Sequence, residues 1–170
     1  MSSHDFLAKM RRAIAVLVAL FCSLVVYAQA ATVRVVGPRS LTVSMADLAA
    51  MPRTQVTTMV RNQRITYEGV SIRELLTRAG VPVGEALRGR DLANAVLVTG
   101  ADGYQAAFGV AEFDPAFTDR LAILADRKDG NPLTANEAPF QLVLTGEKRP
   151  ARWVRQVVSI EVRPLEATRK

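Results

Sequence analysis

The one histidine and the one cysteine of this chain, His4 and Cys22, both lie in its first thirty residues. Those residues have three parts: MSSHDFLAKMRR with its basic end, the apolar run Ala13–Ala28, and the small-x-small sequence Ala28-Gln29-Ala30. This is the layout of a secretory signal peptide. The apolar run is 16 residues, short of the roughly 20 that a spanning helix needs, so an uncleaved anchor is the weaker alternative. A lipid-attachment site is disfavoured because Leu20-Phe21 precede Cys22 where small residues belong. Arg11-Arg12 form a twin-arginine pair, but Met10 stands where Ser or Thr is usual, which points to ordinary unfolded-chain export. We therefore expect residues 1–30 to be a signal peptide, residues 31–170 to be one domain, the location to be periplasmic or secreted, and no stable membrane span to remain after cleavage.

Removing the first thirty of 170 residues leaves 140 without histidine or cysteine. A Ser/His/Asp triad, a Cys/His pair, a zinc site of the usual nitrogen and sulfur ligands, and any disulfide are then excluded. The domain must be held by its core alone, and 140 residues suffice for that. Taking Lys9, Arg11, Arg12 and Asp5 from totals of 22 basic and 16 acidic residues leaves 19 and 15, a net charge of +4. That mild excess suits an anionic small molecule or surface, although ordinary solubilising charge is the stronger reading. Basic residues are scattered and aromatics few, so nucleic acid is not an expected partner.

Along the chain, ATVRVVG alternates as a strand does, and SLTVSMADLAAMP starts as a strand and turns into a short helix, with Ser44 and Asp47 spaced as a capping box. TQVTTMV and RITYEGV read as strands with a turn or an irregular loop at RNQ between them. SIRELLTRAGV is the clearest helix: Ser71 and Glu74 make a second capping box, Ile72, Leu75, Leu76 and Ala79 follow helical spacing, and Gly80 stops it. ANAVLVTG and YQAAFGV flank an Asp102-Gly103 turn, AEFDPAF reads as a helical turn around Pro115, and LAILADRKDGNPL as a strand ending in a turn. FQLVL and RQVVSIEV are the last strands. Strands outnumber helices, and the expected fold class is α+β with a mixed sheet. Alternation in the last strand puts Val154, Val158, Ile160 and Val162 on one face and Trp153, Arg155, Ser159, Glu161 and Arg163 on the other. Arg152 then falls on the Val154 side, where a desolvated guanidinium needs an anion.

Four stretches in this order, YEGVSIRELLTRAGV, VLVTGADGYQAAF, LAILADRKDGNPLTANEAPFQLVL and KRPARWVRQV, resemble the molybdopterin-binding domain of the sulfite oxidase family, and its small exported single-domain members in particular. The resemblance covers roughly Leu41 to Val162 and implies a β-rich α+β fold, a molybdopterin cofactor and oxidoreductase activity. It also implies a molybdenum-bound cysteine in the pattern Cys-x-Gly-Asn-x-Arg. Aligned on Asn62 and Arg64, that pattern places Met59 at the cysteine and Arg61 at the glycine. A neutral thioether is a weak donor to a high-valent metal where a thiolate is strong, and we expect Met59 to be a core filler. The family's grip on the pterin phosphate, two basic residues just before a tryptophan, is matched by Arg149 and Arg152 before Trp153. Larger members carry a histidine where this chain has ANEAPF with Glu137.

The expected cofactor-binding set is thus Arg149, Arg152, Arg64 and Asn62, with no catalytic and no metal-binding residue. The bland alternatives are a salt bridge or a stack on Trp153 for the two arginines, a turn for Asn62 and Arg64, turn and packing roles for Asp102 and Tyr104, and a solvated Glu137. We expect a module that binds a small anionic ligand or a partner protein and holds no cofactor. The alternatives are a molybdopterin-dependent oxidoreductase with unusual ligation and an assembly protein with a vestigial cleft.

Overall fold

A computed structural model describes residues 31–165 of the chain. The expectations placed on residues 1–30 lie outside the described residues. No helix among the described residues is long and apolar enough to cross a membrane.

Two five-stranded sheets carry the fold. In the first, β1 (Thr32–Val36) lies between β2 (Leu41–Ser44) and β10 (Val157–Arg163), followed by β5 (Ala95–Gly100) and β6 (Gln105–Gly109). β1 and β10 run parallel, with Val35 opposite Ile160, and the other pairs are antiparallel. In the second sheet β3 (Thr54–Val60) pairs with β4 (Gln63–Ser71), which pairs with β7 (Ala122–Lys128); β8 (Asn131–Pro132) and β9 (Gln141–Leu144) both pair with β7. Period-2 alternation puts Val33 and Val35 of β1 and Val96 and Val98 of β5 into one shared core. β9 instead is buried along its whole length, as a short continuous apolar run should be.

The two α-helices among the described residues are short and begin where their caps dictate. For α1 (Met45–Ala49), Ser44 Oγ accepts from Asp47 N at 3.2 Å and the Asp47 carboxylate accepts from Ser44 N at 2.8 Å, so both halves of the capping box form. For α2 (Ile72–Arg78) only half forms. Ser71 Oγ accepts from Glu74 N at 3.1 Å, while the Glu74 carboxylate accepts from Arg78 Nε at 2.7 Å, one turn on. Ile72, Leu75 and Leu76 are buried on the α2 face. The RNQ turn closes the β3–β4 hairpin with Arg61 and Asn62 both at positive φ, 48° and 66°, the backbone that a two-residue hairpin turn requires.

Gly69 marks a β-bulge between β4 and β7, where the register shifts between Glu68 and Gly69. A Cβ there would lie 2.0 Å from the Leu124 carbonyl oxygen. Near the bulge, Arg53 donates to both oxygens of the buried Asp126 carboxylate and, through Nε, to Glu68 at 3.1 Å. Asp126 holds that guanidinium's affinity for its proton above the ordinary value, against the opposing effect of burial.

The face assignment of the last strand needs correction. β10 starts at Val157; Pro150–Arg152 form a 3-10 turn. Gln156 takes a positive φ of 48°, and the register shifts between Val157 and Ser159. Together these move the alternation out of phase, so Val158 is exposed and Trp153 is buried with Val154. Trp153 meets Tyr67 edge-on, with ring centroids 5.7 Å apart. The helical turn expected around Pro115 lies earlier, as a 3-10 turn over Val110–Phe113.

Candidate functional site

The chain leaves β9 through Thr145 and turns at Gly146, whose φ is 74°. Thr145 N donates to the Leu121 carbonyl, and Leu121 N donates to Thr145 Oγ, both at 2.8 Å. This reciprocal pair fixes Arg120 beside Gly146, although 26 residues separate them in sequence. The 3-10 turn that follows brings Arg152 back to the same place. Its backbone is tied to the β5–β6 turn, where the Tyr104 hydroxyl donates to the Ala151 carbonyl at 2.6 Å. The result is a shallow cleft of about 440 Å³ lined by Arg120, Glu147, Lys148, Arg149, Ala151 and Arg152 together with Gly146.

Four of those side chains are cationic and one is anionic, and the pairing among them is uneven. Arg152 donates through Nη2 and Nε to the two Glu147 oxygens, and through Nη1 to Glu112 at 3.2 Å. Its guanidinium lies 4.7 Å from the Phe108 ring centroid. Hydrogen bonding to Glu147 raises its proton affinity further, against the opposing effect of burial. Arg120 Nη1 also reaches Glu147, at 3.4 Å. Among the described residues, Lys148 and Arg149 have no carboxylate partner, and both are exposed.

Arg149 and Arg152 therefore stand together, as the sequence suggests, but Arg152 finds its counter-ions within its own chain. Asn62 and Arg64 are elsewhere, exposed at the tip of the β3–β4 hairpin, and neither lines the cleft. Met59 pairs with Arg64 across that hairpin. It is 61% exposed, which corrects the expectation of a core methionine. Glu137 is also not the solvated carboxylate expected of its loop. It accepts from Lys128 at 3.0 Å and from Thr134 Oγ1 at 2.7 Å. Burial would raise its carboxyl, but Thr134 and Lys128 hold it below the ordinary range. Asp102 does serve its turn, accepting from Tyr104 N at 2.9 Å.

Sequence reading missed Arg120, Lys148, Glu112 and above all Glu147. The last lies inside GEKRPAR, where the surrounding cations mask its single carboxylate. Arg120 gives no local signal, since only the Thr145–Leu121 pairing brings it to the cleft.

A molybdopterin needs a phosphate grip and a strong anionic metal donor. The four cations of the cleft suit the first. Met59, which the family resemblance aligns with the metal-bound cysteine, is a neutral thioether on an exposed hairpin edge. Among the described residues no group of three or more His, Cys, Asp or Glu side chains could hold a metal ion.

No curated protein matches this chain. Among solved structures it is similar to the sulfane dehydrogenase SoxCD from Paracoccus pantotrophus, with 20% identity and a TM-score of 0.59. That match covers 77% of this chain and 37% of the other, so this chain spans well under half of that protein. At such identity the likeness speaks for the fold: mixed sheets with few, short helices. A family model described as the oxidoreductase molybdopterin binding domain matches residues 25–169, which include all of the described residues. On that match, this chain belongs to the oxidoreductase molybdopterin-binding domain family.

Proposed function

We propose that this protein is an exported binding module of its family, which uses the cleft around Arg149 and Arg152 to bind a phosphate-type anion, carried by a small molecule or by a partner protein, and holds no molybdenum. The observation that carries this reading is the concentration of charge: four cationic side chains around one cleft with a single carboxylate among them. Lys148 and Arg149 leave donors free for an incoming anion, and a guanidinium suits such oxygens because its planar fork donates two bonds at once. Met59 in place of a thiolate removes the strongest metal donor that the family pattern supplies. The test is elemental analysis for molybdenum, with pterin analysis, of protein purified from its native compartment, alongside calorimetric titration with inorganic phosphate. We expect saturable phosphate binding and molybdenum far below one atom per chain. Stoichiometric molybdenum would overturn the reading.

Export follows from the three-part arrangement of residues 1–30. The intact mass of the periplasmic or secreted protein should correspond to a chain starting at Ala31 or within a few residues of it. A full-length product retained in the membrane would contradict this.

A further inference from the structure

Among the described residues, Glu147 is the only carboxylate lining a cleft of cations, and its side chain is 13% exposed. Both of its oxygens are engaged: Arg152 binds them through Nη2 and Nε, and Arg120 adds Nη1 at 3.4 Å. Arg152 is held from its other edge by Glu112, which is not part of the lining. A planar carboxylate bridging two guanidinium groups presents the same pair of acceptor oxygens that one edge of a phosphate would present. The inner half of the cleft thus already contains an anion, supplied by the loop that carries Lys148 and Arg149.

We propose that Glu147 is a built-in occupant of the anion seat and determines which anions the cleft accepts. This rests on the anion-binding reading above. An incoming monocarboxylate brings the same charge and the same two oxygens that Glu147 already provides. It gains little by competing for Arg120 and Arg152, and is left with Lys148 and Arg149 on the exposed rim. A phosphate dianion carries more charge and further acceptor oxygens. It can bind Lys148 and Arg149 while drawing Arg120 or Arg152 away from Glu147. The cleft is therefore selective for tetrahedral dianions over carboxylates, and Glu147 supplies that selectivity by rejecting the weaker competitor.

The experiment compares the wild-type domain with Glu147→Gln and Glu112→Gln, titrating each calorimetrically with inorganic phosphate and, separately, with acetate. Glu147→Gln should bind phosphate about fivefold more tightly and should gain measurable acetate binding, so that the ratio between the two anions narrows. Glu112→Gln removes the same charge from the same arginine without vacating the cleft and should leave that ratio unchanged. Equal gains from both substitutions would reduce the effect to general charge and overturn the proposal. So would an unchanged phosphate-to-acetate ratio in Glu147→Gln while the wild type still binds phosphate, an outcome that leaves the anion-binding reading standing. Absence of phosphate binding in both wild type and Glu147→Gln would overturn the two together. Should Glu147→Gln fail to fold, the wild-type Glu147 carboxyl carbon resonance decides: phosphate should shift it and acetate should not, and no shift with saturating phosphate would overturn the proposal.

Discussion

Gly69→Ala should lower the melting temperature by roughly 10 °C, the equivalent of about 3 kcal/mol in a domain of this size. Gly69 sits at the bulge that joins β4 to β7, the pairing that holds the second sheet together. A methyl group there would lie 2.0 Å from the Leu124 carbonyl oxygen and 2.7 Å from the Ala125 Cα. Those are backbone atoms of a buried strand, and they cannot rotate away as a flexible side chain could. Relief requires β4 and β7 to separate, which breaks ladder hydrogen bonds and opens the packing of Val70, Leu124 and Ala125, all fully buried. Gly109→Ala is the matched control, because a Cβ there meets nothing within 4 Å and the backbone lies outside the left-handed region. Thermal unfolding followed by circular dichroism should show the large loss for position 69 and almost none for position 109. Two variants melting within a degree or two of each other would mean that the strands are not in this register.

Arg152→Ala should weaken binding of inorganic phosphate tenfold or more, whereas Arg155→Ala should change it little. Two effects act in the same direction. The cleft loses a cation, and Glu147, relieved of its principal partner, keeps only Arg120 and presents a less neutralised carboxylate beside the anion. A charge-assisted contact contributes roughly 1.5–3 kcal/mol when shielded from water, and less when solvent reaches it. The side chain of Arg152 is 34% exposed, so the low end applies, and about 1.4 kcal/mol is a factor of ten in affinity. Arg155 is exposed and outside the lining, so it contributes only to the general field. Isothermal titration at moderate salt separates the cases. Equal losses from the two substitutions would show diffuse charge attraction and no defined site.

How much of this could be read from the chain depends on how local the cause is. The Ser44–Asp47 capping box, the Arg61-Asn62 hairpin turn and the buried face of α2 follow from residues within four positions of one another, and all three form. The phase error in the last strand came from assuming unbroken alternation. One left-handed residue, Gln156, and one bulge break the alternation, so that Val157 is buried, Val158 is exposed and Trp153 joins Val154 in the core, and glutamine carries no signal for such a backbone. Met59 was misplaced for a related reason: an apolar residue near a hairpin tip lies past the end of the core that its strand otherwise helps to build. At the cleft, proximity of Arg149, Arg152 and Trp153 in sequence was informative. What that proximity could not convey was neutralisation, because Glu112 and Arg120 arrive from distant segments and Glu147 meets Arg152 only in the folded loop that follows Gly146.

The parallel pairing of β1 with β10 sets an order of events for a newly made chain. β1 is the first described strand and β10 the last, yet they are neighbours, and among the described strands β10 alone joins β1 and β2 to β5 and β6. Until the last strand is available, β1 and β2 make a lone two-stranded ribbon and β5 and β6 another, and two-stranded ribbons are marginal in water. The first sheet is therefore assembled last and all at once, with the largest loop closure of the fold. A chain still being synthesised can complete its second sheet, whose strands all precede β10, but has no finished first sheet.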